Sequence, residues 1–213
     1  MTVIGIIAGG PKQFVPPLNL YHEINYWIGV DAGNKTLLEN EIKADLAIGD
    51  FDSISYEMQQ LIRKNSHRFE YFSSDKNETD LELAIHEALK LSPKKVYIFQ
   101  ATGGRLDHEW MNIYLLKQFA ELNIDAWIVD NQNMLTIKQP GYYELERDDR
   151  FSYISFLPIS NEVIGLTLKG FRYELTDCNI KLGSSLTVSN EWNEKKGTYL
   201  FKDGILFIIK SRD

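Results

Sequence analysis

The feature that most constrains this chain is a change of rhythm near residue 131. Before it, short apolar runs alternate with helical patterns; after it, only short β-like runs follow one another. VIGIIA (Val3–Ala8), YWIGV (Tyr26–Val30), DLAIG (Asp45–Gly49), RFEYF (Arg68–Phe72), KVYIFQ (Lys95–Gln100) and DAWIV (Asp125–Val129) read as strands. Several are continuously apolar, as strands covered on both faces are. In TDLELAIHEALKL, Leu81, Ala84, Ile85, Ala88 and Leu89 recur at helical spacing, and Thr79 with Glu82 forms a capping-box signature. A second helix is expected from about Leu106, with Trp110, Ile113 and Tyr114 on one stripe. This alternation predicts an α/β fold over residues 1–133, a mostly parallel open sheet with flanking helices. MLTIK, YYELE, FSYISFLPI, VIGLTLKG, SLTVSNEW, GTYLF and ILFIIK predict an all-β sandwich over residues 134–213. Within it, Asp203-Gly204 in LFKDGILF signals a hairpin turn.

The 213 residues are enough to bury a sizeable core. A formal net charge of −7 argues against a general nucleic-acid binder, which would carry a basic face. The single cysteine, Cys178, excludes an intrachain disulfide and a cysteine-rich zinc site, and fits a reducing compartment. MTVIGIIAGG has no basic segment before it and PKQFVPP after it, so it reads as a first strand rather than a signal peptide. No apolar run approaches the roughly 18 to 20 residues of a membrane span. The expectation is a cytoplasmic protein without nucleic-acid or membrane partners.

In an open α/β sheet, ligands bind beyond the carboxyl ends of the strands. Polar motifs fall at these ends. Gly9-Gly10-Pro11 follows the first strand, and Asp31 and Gly33 the second. GDFDS (Gly49–Ser53) closes the third, SSDKNETD (Ser73–Asp80) follows the fourth, and ATGGRLDH (Ala101–His108) the fifth. If the backbone at Asp50–Asp52 is extended, both carboxylates face one way while Phe51 faces the core. Converging carboxylates call for a hard cation such as Mg²⁺, held together with substrate phosphates. An isolated D-x-D is also an ordinary polar strand end. Asp75, Lys76, Asn77, Thr79 and Asp80 combine potential ligands with a cation, although Asp80 and Thr79 equally suit a helix start. Gly103 and Gly104 leave backbone N–H groups open to an anion, and Arg105 can grip phosphate oxygens; Asp107 and His108 sit in the same helix start. No P-loop, dinucleotide fingerprint, nucleophile elbow or H-E-x-x-H motif is present. The combination points to Mg²⁺-assisted phosphoryl chemistry outside the P-loop class.

In order, GDFDS, DKNETDLELAI (Asp75–Ile85), TGGRLDH (Thr102–His108) and VSNEW (Val188–Trp192), with VDAG (Val30–Gly33) in support, resemble the thiamine pyrophosphokinase family. The resemblance implies an α/β catalytic domain and a β-sandwich. It also implies a homodimer with active sites between the N-domain of one subunit and the C-domain of the other. The implied reaction moves the terminal diphosphate of ATP to the hydroxyl of thiamine and releases AMP, with Mg²⁺ required. Catalytic roles fall on Asp50, Asp52, Asp75, Lys76, Asp80 and Arg105, with Asp50, Asp52 and Asp75 as metal ligands. ATP is assigned to Asp31, Gly33, Asn77, Thr79, Gly103, Gly104, Arg105, Asp107 and His108. Thiamine is assigned to Ser189, Asn190, Trp192 and Gln100, with Trp192 offering an aromatic face to the thiazolium cation. Gln100 departs from the pattern, standing where relatives commonly carry glycine; contact with the ligand and capping of the strand are both open to it. The alternatives are a Mg²⁺-dependent phosphohydrolase, a diphosphotransferase for another alcohol, and a non-catalytic nucleotide-binding module.

Overall fold

The computed structural model describes every residue except Ser74 and Lys76. It divides into two compact units, Met1–Asn131 and Gln132–Asp213. The first contains β1 (Val3–Ile7), β2 (Tyr26–Val30), α1 (Gly33–Glu39), β3 (Ala44–Gly49), α2 (Tyr56–Lys64), β4 (Ser66–Tyr71), α3 (Asp80–Lys90), β5 (Lys95–Phe99), α4 (Leu106–Glu121) and β6 (Asp125–Val129). All its strand pairings are parallel, in the order β6-β5-β1-β2-β3-β4. The strand order therefore reverses direction at β1: the chain first builds outward through β2, β3 and β4, then returns to β5 on the other side. That reversal opens a crevice between the carboxyl ends of β1 and β5, the favoured ligand position in such sheets. Pro11, Pro16 and Pro17 keep the β1–β2 connection from forming a long helix, leaving 3₁₀ turns at Lys12–Phe14 and Leu18–Leu20.

Helix α3 begins as its sequence dictates. The Thr79 hydroxyl accepts from the Glu82 N–H at 3.2 Å, and Leu81, Ala84, Ile85 and Ala88 form the buried stripe. Helix α4 is different. Leu115, Leu116, Phe119 and Ala120 are buried, whereas Trp110 and Tyr114 are each 47% exposed. The stripe expected from Trp110, Ile113 and Tyr114 is thus a second apolar face, on the helix's solvent side.

The second unit contains β7 (Asn133–Lys138), β8 (Gly141–Glu146), β9 (Tyr153–Pro158), β10 (Glu162–Lys169), β11 (Leu175–Lys181), β12 (Asn190–Glu191), β13 (Lys196–Phe201) and β14 (Leu206–Ser211). Antiparallel pairings give the orders β12-β9-β14-β7 and β11-β10-β13-β8. Inward side chains of both sheets, among them Phe156, Phe171, Ile180, Tyr199 and Ile208, form its core. The hairpin expected at Asp203-Gly204 does not form, because β13 and β14 belong to opposite sheets. The turn instead packs on β10: the Ile164 N–H donates to the Asp203 carbonyl at 3.0 Å, and a Cβ on Gly204 would stand 2.5 Å from the Glu162 carbonyl.

Candidate active site

Three strands of the first unit end in residues with left-handed backbone: Asp31 after β2 (φ 42°), Phe51 after β3 (φ 52°) and Gln100 after β5 (φ 59°). Such conformations are unfavourable for residues other than glycine and gather where a site holds its side chains in place. At Phe51 the turn breaks the strand alternation that would have pointed Asp50 and Asp52 the same way. Phe51 itself is fully buried against Phe69, with ring centroids 4.6 Å apart. Asp50 and Asp52 are instead joined by a local turn, the Asp52 N–H donating to Asp50 Oδ1 at 3.1 Å.

The acids that do converge are Asp31, Asp50 and Asp80, each offering an oxygen within 4.8 Å of the others. They come from the ends of β2 and β3 and the first turn of α3. Asp31 is fixed by its own N–H to the Ile48 carbonyl (2.9 Å) and by its Oδ1 accepting from the Phe51 N–H (3.1 Å). Gly49 makes room for that carboxylate; a Cβ there would stand 1.8 Å from Asp31 Oδ1. Burial, and then the neighbouring charges of Asp80 and Asp50, push the Asp31 carboxyl up to about 7. Three converging carboxylates suit a cation, and their all-oxygen donor set fits Mg²⁺. Asp52 and Asp75 are exposed and lie outside this cluster. Lys76 lies outside the described residues.

Beside the acids is a cavity of about 650 Å³, lined by Ala8–Pro11, Val30–Ala32, Ser53, Thr79–Leu81, Gln100–Thr102, Gly104, Arg105, His108, Glu109 and Asn112. It lies at the crevice between β1 and β5. Of the expected nucleotide residues it takes in Asp31, Thr79, Gly104, Arg105 and His108, whereas Gly33, Asn77, Gly103 and Asp107 do not line it. Gly33 has another task, since a Cβ would meet the Ile7 carbonyl at 2.2 Å as α1 packs on β1. The Gly103 N–H is already bound to Glu109 Oε2 at 2.9 Å. Arg105 is held in a two-pronged pair with Asp107, at 3.1 and 2.6 Å, which lowers the Asp107 carboxyl to about 2.

Glu109 and Asn112 were not singled out by sequence. Asn112 donates to the Ala101 carbonyl at 2.9 Å, and with Glu109 it braces the Ala101–Gly104 loop from the first turns of α4. Their spacing of three residues, on the helix that follows the glycine pair, is the signal that would have found them.

In the second unit, Trp192 packs on Phe171 (centroids 5.1 Å apart), and Lys210 Nζ lies 5.8 Å from its ring centroid. Its indole N–H is buried with no hydrogen-bond partner among the described residues. The Asn190 amide is spent on the backbone, accepting from the N–H groups of Tyr173 and Glu191 (both 2.9 Å) and donating to the Tyr173 carbonyl (2.8 Å). Ser189 is exposed, with left-handed backbone (φ 54°) and its N–H on Ser155 Oγ at 2.9 Å.

Two family models match the chain: "Thiamin pyrophosphokinase, catalytic domain" over residues 18–128, and "Thiamin pyrophosphokinase, vitamin B1 binding domain" over residues 142–206. The chain is 44% identical to thiamine pyrophosphokinase from Bacillus subtilis (strain 168), with all of both chains covered. Its fold matches the crystal structure of the Bacillus subtilis enzyme at TM-score 0.93 and 43% identity, with full coverage of both chains. A thiamin pyrophosphokinase family protein from Enterococcus faecalis matches at TM-score 0.92 and 30% identity, again with full coverage of both. The chain belongs to the thiamine pyrophosphokinase family, and it is an enzyme that transfers a diphosphate to thiamine.

Proposed function

We propose that the Asp31–Asp50–Asp80 cluster and the adjoining cavity hold Mg²⁺ and the triphosphate of ATP, and that thiamine takes the terminal diphosphate there, releasing AMP. The observation that carries this reading is the convergence of the three carboxylates next to a cavity that also contains Arg105. Mg²⁺, when bound, would neutralise and orient phosphate oxygens. Asp31, Asp50 and Asp80 would hold it, with Asp52 bordering them through its N–H on the Asp50 carboxylate. Arg105 is the cation for charge developing on the transferring group, and engaging it means exchanging Asp107 for phosphate oxygens. The thiamine hydroxyl attacks the β-phosphorus, the bond from that phosphorus to the bridging oxygen of AMP breaks, and a carboxylate of the cluster accepts the hydroxyl proton. No covalent enzyme intermediate is required; positioning and electrostatics supply the acceleration.

Among the described residues, no Phe, Tyr or Trp lines the cavity. A thiazolium-binding aromatic must therefore come from elsewhere, and Trp192 is our candidate, with Ser189 beside it. In this reading Asn190 acts by holding the Tyr173 and Glu191 backbone in place. The homodimer is part of the proposal: the second unit of one subunit serves the acids of its partner. The exposed apolar side chains of α4 support an association of this kind. The lone free cysteine and the use of ATP support a cytoplasmic setting.

The test is incubation with ATP, Mg²⁺ and thiamine. The expected products are AMP and thiamine diphosphate; ATP consumption that does not depend on thiamine would instead indicate a hydrolase. Replacing Trp192 with Ala should raise the KM for thiamine by roughly tenfold, the loss of one cation–π contact, with ATP affinity largely kept. An unchanged thiamine KM would return the ring to the sandwich core.

A further inference from the structure

Gln100 follows β5 with left-handed backbone (φ 59°), yet it is only 4% exposed and its amide is hydrogen-bonded through both its nitrogen and its oxygen. Its Nε2 donates to the Gly10 carbonyl at 2.6 Å, and its Oε1 accepts from the Thr36 hydroxyl at 2.8 Å. A backbone carbonyl can only accept, so the amide edge facing Gly10 must be the NH₂, which leaves Oε1 for Thr36. The backbone is tied at the same place: the Gly10 N–H donates to the Gln100 carbonyl at 2.9 Å. The approach is so close that a Cβ on Gly10 would stand 2.5 Å from that oxygen. One side chain thus joins the loop after β1, helix α1 and the start of the Ala101–Gly104 loop. The first and last of these both line the cavity at the strand-order reversal.

We propose that Gln100 is a positioning residue that fixes the Gly9–Gly10–Pro11 loop, and with it the wall of the cavity that receives the nucleotide, without contacting thiamine. The inference rests on the assignment of the nucleotide to this cavity made above. Its chemistry is specific. A side chain that both donates to a carbonyl and accepts from a hydroxyl, at this reach, is a primary amide; a carboxylate would face the Gly10 carbonyl with a second acceptor. The backbone strain at Gln100 persists because the surrounding bonds over-determine it.

Glycine and alanine substitutions separate the backbone from the side chain. Both remove the amide, but only glycine relieves the left-handed strain. Affinity for a non-reacting ATP analogue with Mg²⁺, thiamine KM and Tm would be measured for Gln100→Gly, Gln100→Ala and Thr36→Val. The expected result is nucleotide affinity weakened roughly tenfold in both Gln100 variants and several-fold in Thr36→Val, the scale of one or two lost hydrogen bonds. Thiamine KM should stay unchanged, and Tm should be lower for Gln100→Ala than for Gln100→Gly. A purely structural role would move Tm and leave nucleotide affinity alone; a thiamine contact would raise thiamine KM instead. Either result overturns the proposal. If Gln100→Ala does not fold, the other two variants carry the test. Asp80→Asn and Arg105→Ala serve as references: if they weaken nucleotide binding while the Gln100 variants do not, only this inference fails. If neither reference variant weakens it, the cavity is not the nucleotide site and both readings fall.

Discussion

Asp31 shows how one residue couples the chemistry of the site to pH. Burial raises its carboxyl to about 7, against the ordinary carboxylate value near 4 that it takes when unfolded. Between those values the folded chain holds a proton that the unfolded chain has released. This contribution to stability is therefore present at low pH and is lost as pH rises through about 7. At the proposed site, Mg²⁺ would compete with that proton. We expect Mg²⁺ to raise Tm more at about pH 8 than at about pH 5.5, and Asp31→Asn to flatten the difference; an equal Mg²⁺ effect at both pH values would exclude Asp31 from the metal site. The sequence placed Asp31 at the ligand edge among the nucleotide residues but put the metal on Asp50, Asp52 and Asp75. That reading assumed extended backbone across GDFDS. The left-handed turn at Phe51 redirects Asp52, and nothing in the local residue types announces a positive φ at a phenylalanine. Phe51 as the buried anchor was legible, because an aromatic between two acids has only the core to enter.

The elements carry the site because their ends were written plainly. The helical period and capping box of α3 foretold both its stripe and its start, and that start delivers Asp80 to the cluster. Thr79→Ala should cost about 1 kcal/mol in denaturant unfolding and also lower Mg²⁺ affinity by loosening the first turn. Lost stability with unchanged metal affinity would show that Asp80 is held by other contacts. Helix α4 was harder to read, since it is apolar on two faces and periodicity alone does not say which one the sheet takes. Its buried face is Leu115, Leu116, Phe119 and Ala120, and its outward face is Leu106, Trp110, Met111 and Tyr114. The same limit explains Asp203-Gly204: a turn signal marks a reversal but does not say whether the next strand rejoins the same sheet.

At the scale of the whole molecule, the two rhythms of the sequence correspond to two units whose strands pair differently, parallel in one and antiparallel in the other. Pairing order was not legible, because it is decided by contacts between distant strands, and it is this order that makes the crevice at β1 and β5. The proposed homodimer gives the outward face of α4 a physical role. Sedimentation equilibrium should find a dimer for the native chain and a folded monomer for the Trp110→Glu, Tyr114→Glu double variant; a double variant that remains dimeric would place the interface elsewhere. The central claim is that Asp50 and Asp80, brought together from β3 and α3, work as one metal-holding group in diphosphate transfer. Its most direct test is Mg²⁺-dependent formation of AMP and thiamine diphosphate by Asp50→Asn and Asp80→Asn, each checked for native circular dichroism. The account predicts that each variant folds and loses turnover by at least about 100-fold; near-native turnover in either would contradict it.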